Sequence, residues 1–377
     1  MAHILAWQPS QDPRLLLAEV VGALRGGQLV GVPTETVYGI AASVYAPLGA
    51  EQIQREKGRP ESKPLTLAAG SAEEALEWVP AVGPLGRRLA RRCWPGPATL
   101  VFRGGFAEGP LDRLPAPIRT RICPGDKLGL RVPDHPAASA LLSLAGPLLL
   151  TSANRSGEPA AVIAEEVVKT MGDELAWIVD GGACRYARPS TVVLVDSSRW
   201  DVLREGVITE AELREMAACR ILFVCTGNTC RSPMSLALCK KLLAERLGCR
   251  PEDLLERGFV VQSAGLAAVA GDRAAPEAIE AVKERGADLA DHETRPLNET
   301  LLSGADHVFV MTRSHLVSLE MCFWGCGPRP RLLSSEGADL PDPVGCDQSV
   351  YRDSAREIER CLESVVSEVV SGEMNDE

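Results

Sequence analysis

The stretch Ile221-Leu-Phe-Val-Cys225-Thr-Gly-Asn-Thr-Cys-Arg231-Ser-Pro-Met234 is compatible with few folds. Ile221 to Val224 have the length and apolarity of a buried parallel strand. From Ser232 onward, Pro233 suits a first helical position, and Met234, Leu238, Leu242 and Leu243 recur at helical spacing. The loop between strand and helix points its backbone N–H groups, at the positive end of the helix, toward whatever lies beside Cys225.

An oxyanion in that loop would meet amide donors, a guanidinium from Arg231 able to bind two of its oxygens, and a thiol whose ionisation the same field favours. A thiolate beside a bound phosphoryl group is a nucleophile. The alternative, a buried structural cysteine in a strand-to-helix turn, leaves the coincidence of Cys225, Gly227, Arg231, Ser232 and Pro233 unexplained. No lysine follows the glycine, so Walker-type nucleotide binding is not supported.

Residues 219–377 resemble the low-molecular-weight protein phosphatases, and within them the bacterial protein-arginine phosphatase type. The resemblance implies that Cys225 is the nucleophile, that Arg231 clamps the phosphate, and that Ser232 hydrogen-bonds the thiolate, with Thr226, Gly227 and Asn228 shaping the loop. Thr229 stands where tyrosine phosphatases of the family usually carry a bulky aliphatic residue, which suits phosphoarginine. Cys230 occupies the family's position for a partner that forms a reversible disulfide with the nucleophile.

With 377 residues the chain exceeds the usual size of one core, and two domains are expected. Its net charge of −11 argues against wholesale wrapping of nucleic acid. Twelve cysteines, two of them in a catalytic-looking loop, and a start without a basic, apolar leader point to a reducing cytoplasm. No apolar run approaches the roughly 18 residues of a membrane span, so a soluble protein without a membrane partner is expected.

The first half has a different character. Asp12-Pro13 caps a helix that stops at Gly26-Gly27, a strand follows over residues 29–32, and a hydroxyl-rich turn, Pro33-Thr-Glu-Thr36-Val-Tyr-Gly39, comes next. A helix through Lys57 delivers Lys57-Gly-Arg59-Pro, with Lys63 close behind. The helix Pro84–Cys93 carries Arg87, Arg88, Arg91 and Arg92, which read either as a basic face for tRNA or double-stranded RNA or as a solvated helix face. Residues 103–128 read as a long loop. Arg131-Val-Pro-Asp-His135, Ser152-Ala-Asn154, Ser190-Thr-Val and Arg204-Glu-Gly206 then follow short strands. Together these groups make a concave polyanion site with no nucleophile or metal cage, where chemistry would rest on positioning and charge neutralisation.

That order of motifs, over residues 9–208, resembles the YrdC family of threonylcarbamoyl-AMP synthases, which condense L-threonine, bicarbonate and ATP. The product is the first step toward threonylcarbamoyladenosine in tRNA, so tRNA-modification proteins would receive it. The resemblance implies that Lys57, Arg59, Lys63, Asn154 and Arg204 hold ATP, that Thr36, Arg131, Ser152 and Ser190 surround threonine, and that Mg2+ bridges the phosphates. Many members have a histidine five residues after the position of Lys63, where this chain has Ala68, so the threonine contacts are in question there.

The boundary is placed near residue 215, giving domains 1–214 and 215–377. The expected folds are an α/β domain with a mixed twisted sheet, then a doubly wound domain with a small parallel sheet. In the second, Pro341-Asp342-Pro343 on a proline-fixed turn can donate a proton to a leaving group and later activate water, with no cofactor. The aromatic residues that often follow this motif in tyrosine phosphatases are missing, which disfavours phosphotyrosine. The functions expected are synthesis of threonylcarbamoyl-AMP and hydrolysis of phosphorylated proteins. The alternatives are an RNA-binding module joined to a tyrosine phosphatase or to an arsenate reductase-like domain. Arsenate reductases carry a resolving cysteine just after the third strand, where this chain has Thr312-Arg-Ser314.

Overall fold

The computed structural model describes residues 2–58 and 63–374, and the chain divides into two compact units, Met1–Met216 and Ala217–Glu377. Each unit has its own sheet.

In the first unit the described residues form ten strands. They are β1 (His3–Ala6), β2 (Val30–Val32), β3 (Gly39–Ser43), β4 (Thr66–Ala68), β5 (Ala98–Arg103), β6 (Lys127–Arg131), β7 (Leu148–Ser152), β8 (Trp177–Asp180), β9 (Thr191–Val195) and β10 (Trp200–Arg204). Their order across the sheet is β1-β8-β2-β3-β7-β4-β6-β5-β9-β10. Parallel pairs such as β4–β6 and β5–β9 occur beside antiparallel ones such as β3–β7 and β5–β6, so the sheet is mixed. Leu17, Val20 and Leu24 of the N-terminal helical region and Leu141 of the helix Pro136–Ala145 pack with Val30, Val32 and Leu148 into one core.

Local chemistry accounts for several boundaries. Asp12 accepts the N–H of Arg14 at 2.9 Å and opens a first turn, and Ser71 caps the helix Ala72–Glu77 by accepting from Glu74 N at 3.1 Å. Glu74 reaches back to Gly70 N at 2.7 Å, much as in a capping box. The long loop expected over residues 103–128 is corrected by a 3-10 turn, Pro110–Arg113, and a helix, Ala116–Ile122. Ile118 and Ile122 are both fully buried one helical turn apart, and that pair outweighs the glycines and prolines around it. The strand β3 had no signal beyond small apolar residues, because Gly39 to Ser43 are buried along their whole length and show no alternation.

In the second unit β11 (Cys219–Cys225), β12 (Phe259–Gly265), β13 (His307–Val310) and β14 (Arg331–Leu332) form a fully parallel sheet of order β12-β11-β13-β14 among the described residues. One face, with Ile221, Phe223 and Phe309, is covered by the helices Arg231–Leu247, Pro276–Lys283 and Gln348–Met374. The other, with Leu222, Val224 and Val310, is covered by Glu299–Gly304 and Arg313–Cys322. The sheet is therefore doubly wound, and the chain leaves β11 toward β12 on one side and β13 on the other. That reversal opens a crevice at the carboxyl end of β11, where Cys225 stands.

Candidate active sites

In the second unit, Cys225 closes β11 and Arg231 opens the helix Arg231–Leu247, so the loop spans a strand end and a helix start. Pro233 is the third helical residue, not the first. The Cys225 Sγ lies 3.0 Å from Ser232 Oγ and accepts the N–H of Asn228 at 3.3 Å. Asn228 has φ of 58°, in the left-handed region that asparagine enters more readily than most residues. Its side chain holds that turn: Nδ2 donates to Ser232 Oγ and Ser263 Oγ, each at 2.9 Å, and Oδ1 accepts from Arg295 N at 3.0 Å.

The buried Arg231 guanidinium donates to Leu340 O at 3.2 Å and pairs with the Asp342 carboxylate, which brings the sequence's two chemical elements together. Asp342 is partly exposed, so the pair adds little to stability. Thr226 Oγ1 lies 2.9 Å from His315 Nε2, whose Nδ1 lies 3.0 Å from Thr312 Oγ1. Burial and the nearby Arg231 charge push the His315 pKa down. His292 donates from Nε2 to Asn228 O at 2.9 Å, and burial likewise lowers its pKa. Cys230 Sγ lies 3.2 Å from Tyr351 Oη and 3.5 Å from Oγ1 of the half-buried Thr229.

The strand β12 ends in Ser263-Ala264-Gly265. A Cβ at Gly265 would stand 2.6 Å from Thr226 O and 2.9 Å from Asn228 N, so only glycine lets the phosphate loop cross the end of β12. His292, Arg295 and His315 were missed altogether, since each lies far along the chain from the loop it braces.

In the first unit a cavity of 680 Å³ is lined by Lys63, Arg131, Ser152, Asn154, Ser190 and Arg204 among others. Lys57 is buried behind it. Its Nζ donates to Ser152 O, to Asn154 O at 2.7 Å and to Asn154 Oδ1 at 3.2 Å. Arg204 Nη2 donates to Ser190 O at 2.8 Å and Oγ at 3.2 Å, and burial followed by the Arg131 charge pushes its pKa down. Thr36 is fully buried beneath Arg131, whose Nη2 donates to Thr36 Oγ1 at 2.5 Å. Arg59 lies outside the described residues. Ala68 packs into the hydrophobic core with Leu17 and Leu141.

Glu35, inside the hydroxyl-rich turn Pro33–Gly39, was also not legible as a site residue. Glu35 is buried, accepts from Arg131 Nη2 at 3.0 Å, and takes the Asp134 N–H at 3.0 Å on its other oxygen. Thr34 and Thr99 line the cavity, with Thr99 Oγ1 3.0 Å from Ser190 Oγ. The four arginines of Pro84–Cys93 do not share one face. Arg88 is buried, Arg92 Nη1 donates to Met216 O at 2.8 Å, and Arg87 and Arg91 are exposed.

The family model described as "Telomere recombination", for Sua5, YciO and YrdC proteins, matches residues 22–206. That described as "Low molecular weight phosphotyrosine protein phosphatase" matches residues 220–374. The chain is 32% identical over 206 residues to the threonylcarbamoyl-AMP synthase of Bacillus subtilis, a match covering 54% of this chain and 56% of that protein. It is 34% identical over 179 residues to that of Chromohalobacter salexigens, covering 47% of this chain and 90% of that protein. The chain thus spans about half the length of the first relative and most of the second. A solved arginine phosphatase from Geobacillus stearothermophilus is 31% identical, with a TM-score of 0.37, covering 42% of this chain and 97% of that one.

Proposed function

Since this chain belongs through its first unit to the threonylcarbamoyl-AMP synthase family and carries a low-molecular-weight phosphatase domain in its second, we propose that it is a bifunctional enzyme with domains 1–214 and 215–377. The first domain makes threonylcarbamoyl-AMP and the second hydrolyses phosphorylated protein through a cysteinyl-phosphate. The observation that supports the first reading best is the cavity itself, where fixed cations and hydroxyls converge on one space. Threonine and bicarbonate combine, with loss of water, to a carbamate. Its oxygen attacks the α-phosphorus of ATP and displaces pyrophosphate. Lys57, Arg59, Lys63 and Arg204 would offset the phosphate charge, with Asn154 orienting it, while Arg131, Thr36, Ser152 and Ser190 would hold threonine.

The described lining contains one carboxylate, Glu158, beside its hydroxyls. Such a donor set fits a magnesium ion held chiefly by the nucleotide phosphates, with Glu158 as the carboxylate that would help to hold it. When bound, the ion would offset phosphate charge.

In the second domain Cys225 Sγ attacks phosphorus while Arg231 and the loop amides hold the phosphoryl oxygens. Asp342 gives its proton to the departing nitrogen or oxygen. The resulting carboxylate then takes a proton from the water that splits the cysteinyl-phosphate. Thr229 and the exposed Val344, in place of bulky aliphatic and aromatic walls, favour the planar cation of phosphoarginine over the phosphotyrosine ring.

The test measures both activities on the full chain. Pyrophosphate release should require threonine and bicarbonate together and persist in Cys225→Ser, which should lose hydrolysis of a phosphate ester. Release that ignores either substrate would refute the synthase assignment. Hydrolysis that survives Cys225→Ser would refute the phosphatase mechanism.

A further inference from the structure

At the end of the second sheet opposite Cys225, three side chains with no part in the phosphatase site converge. Cys219 begins β11 and His307 begins β13, and Ile221 is the register partner of His307. Glu373 lies in the last turn of Gln348–Met374, one turn beyond the buried Val369 and Val370. That helix buries an apolar stripe through Ile358, Leu362, Val366 and Val369, and continuing the stripe would call for another apolar residue. The chain places a carboxylate there instead. The Cys219 sulfur, a His307 ring nitrogen and a Glu373 carboxylate oxygen all lie within 4.8 Å of one another.

The geometry points to a structural site for a zinc-class divalent cation held by Cys219, His307 and Glu373, with water as a fourth ligand. Thiolate, imidazole and carboxylate are the donors zinc takes, at about 2.0–2.3 Å each. A tetrahedron with those bonds has edges of roughly 3.3–3.8 Å, so closing the observed triangle needs movements of about 1 Å or less. Two of the ligands are already held in register. Arg220 N donates to Asp306 Oδ2 at 2.8 Å and Asp306 N donates to Arg220 O at 2.8 Å, tying together the neighbours of Cys219 and His307. Binding would release the Cys219 thiol proton to solvent and hold the buried sulfur as a metal-bound thiolate. The ion would clamp the final helical turn to the strand starts, at the end of the sheet opposite the catalytic loop.

The experiment uses the full chain carrying Cys225→Ser and Cys230→Ser, so that the catalytic-loop thiols cannot bind metal. Titration with Co2+ should show one equivalent bound, with a thiolate-to-metal charge-transfer band in the near ultraviolet and the visible bands of a tetrahedral ion. Cys219→Ser, His307→Gln and Glu373→Gln should each weaken Zn2+ binding at least about a hundredfold, since even outer-shell partners are worth roughly 10–100-fold. They should also abolish any rise of Tm with Zn2+. Co2+ uptake without the thiolate band would overturn the site, as would parental affinity in His307→Gln or Glu373→Gln, leaving Glu373 and His307 as an ordinary charged pair. Should Cys219→Ser not fold, the band and the other two variants decide.

Discussion

In the proposed phosphatase reading, Thr229 is the residue that would decide between phosphoarginine and phosphotyrosine. Its half-buried hydroxyl faces the loop, where a branched aliphatic side chain would crowd a guanidinium and pack well on a ring. Thr229→Ile should move the ratio of kcat/KM toward phosphotyrosine over phosphoarginine by one to two orders of magnitude, about 1.4–2.7 kcal/mol. Matched phosphopeptides measure this, and an unchanged ratio would refute the proposed role. Glu35 is the corresponding residue of the first unit, where it holds Arg131 by a buried, charge-assisted bond at 3.0 Å. Glu35→Gln leaves that guanidinium without its counter-charge, and breaking such a pair costs about 3 kcal/mol or more. Urea unfolding should show that loss, and the KM for threonine should rise more than the KM for ATP. A variant with wild-type stability and an unchanged threonine KM would exclude a positioning role.

At the scale of elements, the phosphatase site depends on β12 ending in glycine beneath a loop that turns at Asn228. A methyl group at Gly265 would meet backbone atoms on two sides, 2.6 and 2.9 Å away, and backbone cannot rotate aside as a side-chain tip can. Gly265→Ala should therefore push the phosphate loop out of place and lower phosphatase kcat by roughly a hundredfold, the cost of a displacement of about 1 Å. Threonine-dependent pyrophosphate release should remain. Phosphatase activity near wild type in Gly265→Ala would show that the loop tolerates the shift.

At the scale of the whole molecule, His135, His292 and His315 share one trend, a pKa held below the ordinary 6.5 chiefly by burial. As pH falls through 6.5 the unfolded chain takes up protons that these folded sites resist, so stability is lost on acidification and is retained above that value. Urea midpoints measured from pH 7.5 down to about pH 5 should fall, and a flat profile would contradict the burial of these rings. The two compact units imply a second outcome. Polypeptides cut between Met216 and Ala217 should fold separately, one releasing pyrophosphate and the other hydrolysing phosphate esters. Solubility only on co-expression would show that the units depend on each other.

Local sequence was enough for most features that rest on neighbouring residues. The strand, loop and helix around Cys225, the capping residue Asp12, and the helix Pro84–Cys93 were all legible because spacing and turn chemistry act within a few positions. So was the mixed sheet followed by a doubly wound one, since the motifs lie at strand ends in both halves. Other features appeared only when distant segments met. Glu35 became the partner of Arg131 because the chain brings residues 96 apart in sequence into one buried site. Arg88 left the basic face because its side of the helix packs inward, and a one-dimensional count of arginines cannot register that. Gly265 and His292 acquired their roles from the phosphate loop they touch, and Cys219, His307 and Glu373 from parallel strands that place their starts beneath the end of one long helix. Propensity and capping are local energies that sequence spacing encodes, whereas burial and charge pairing are set by which surfaces the folded chain brings together.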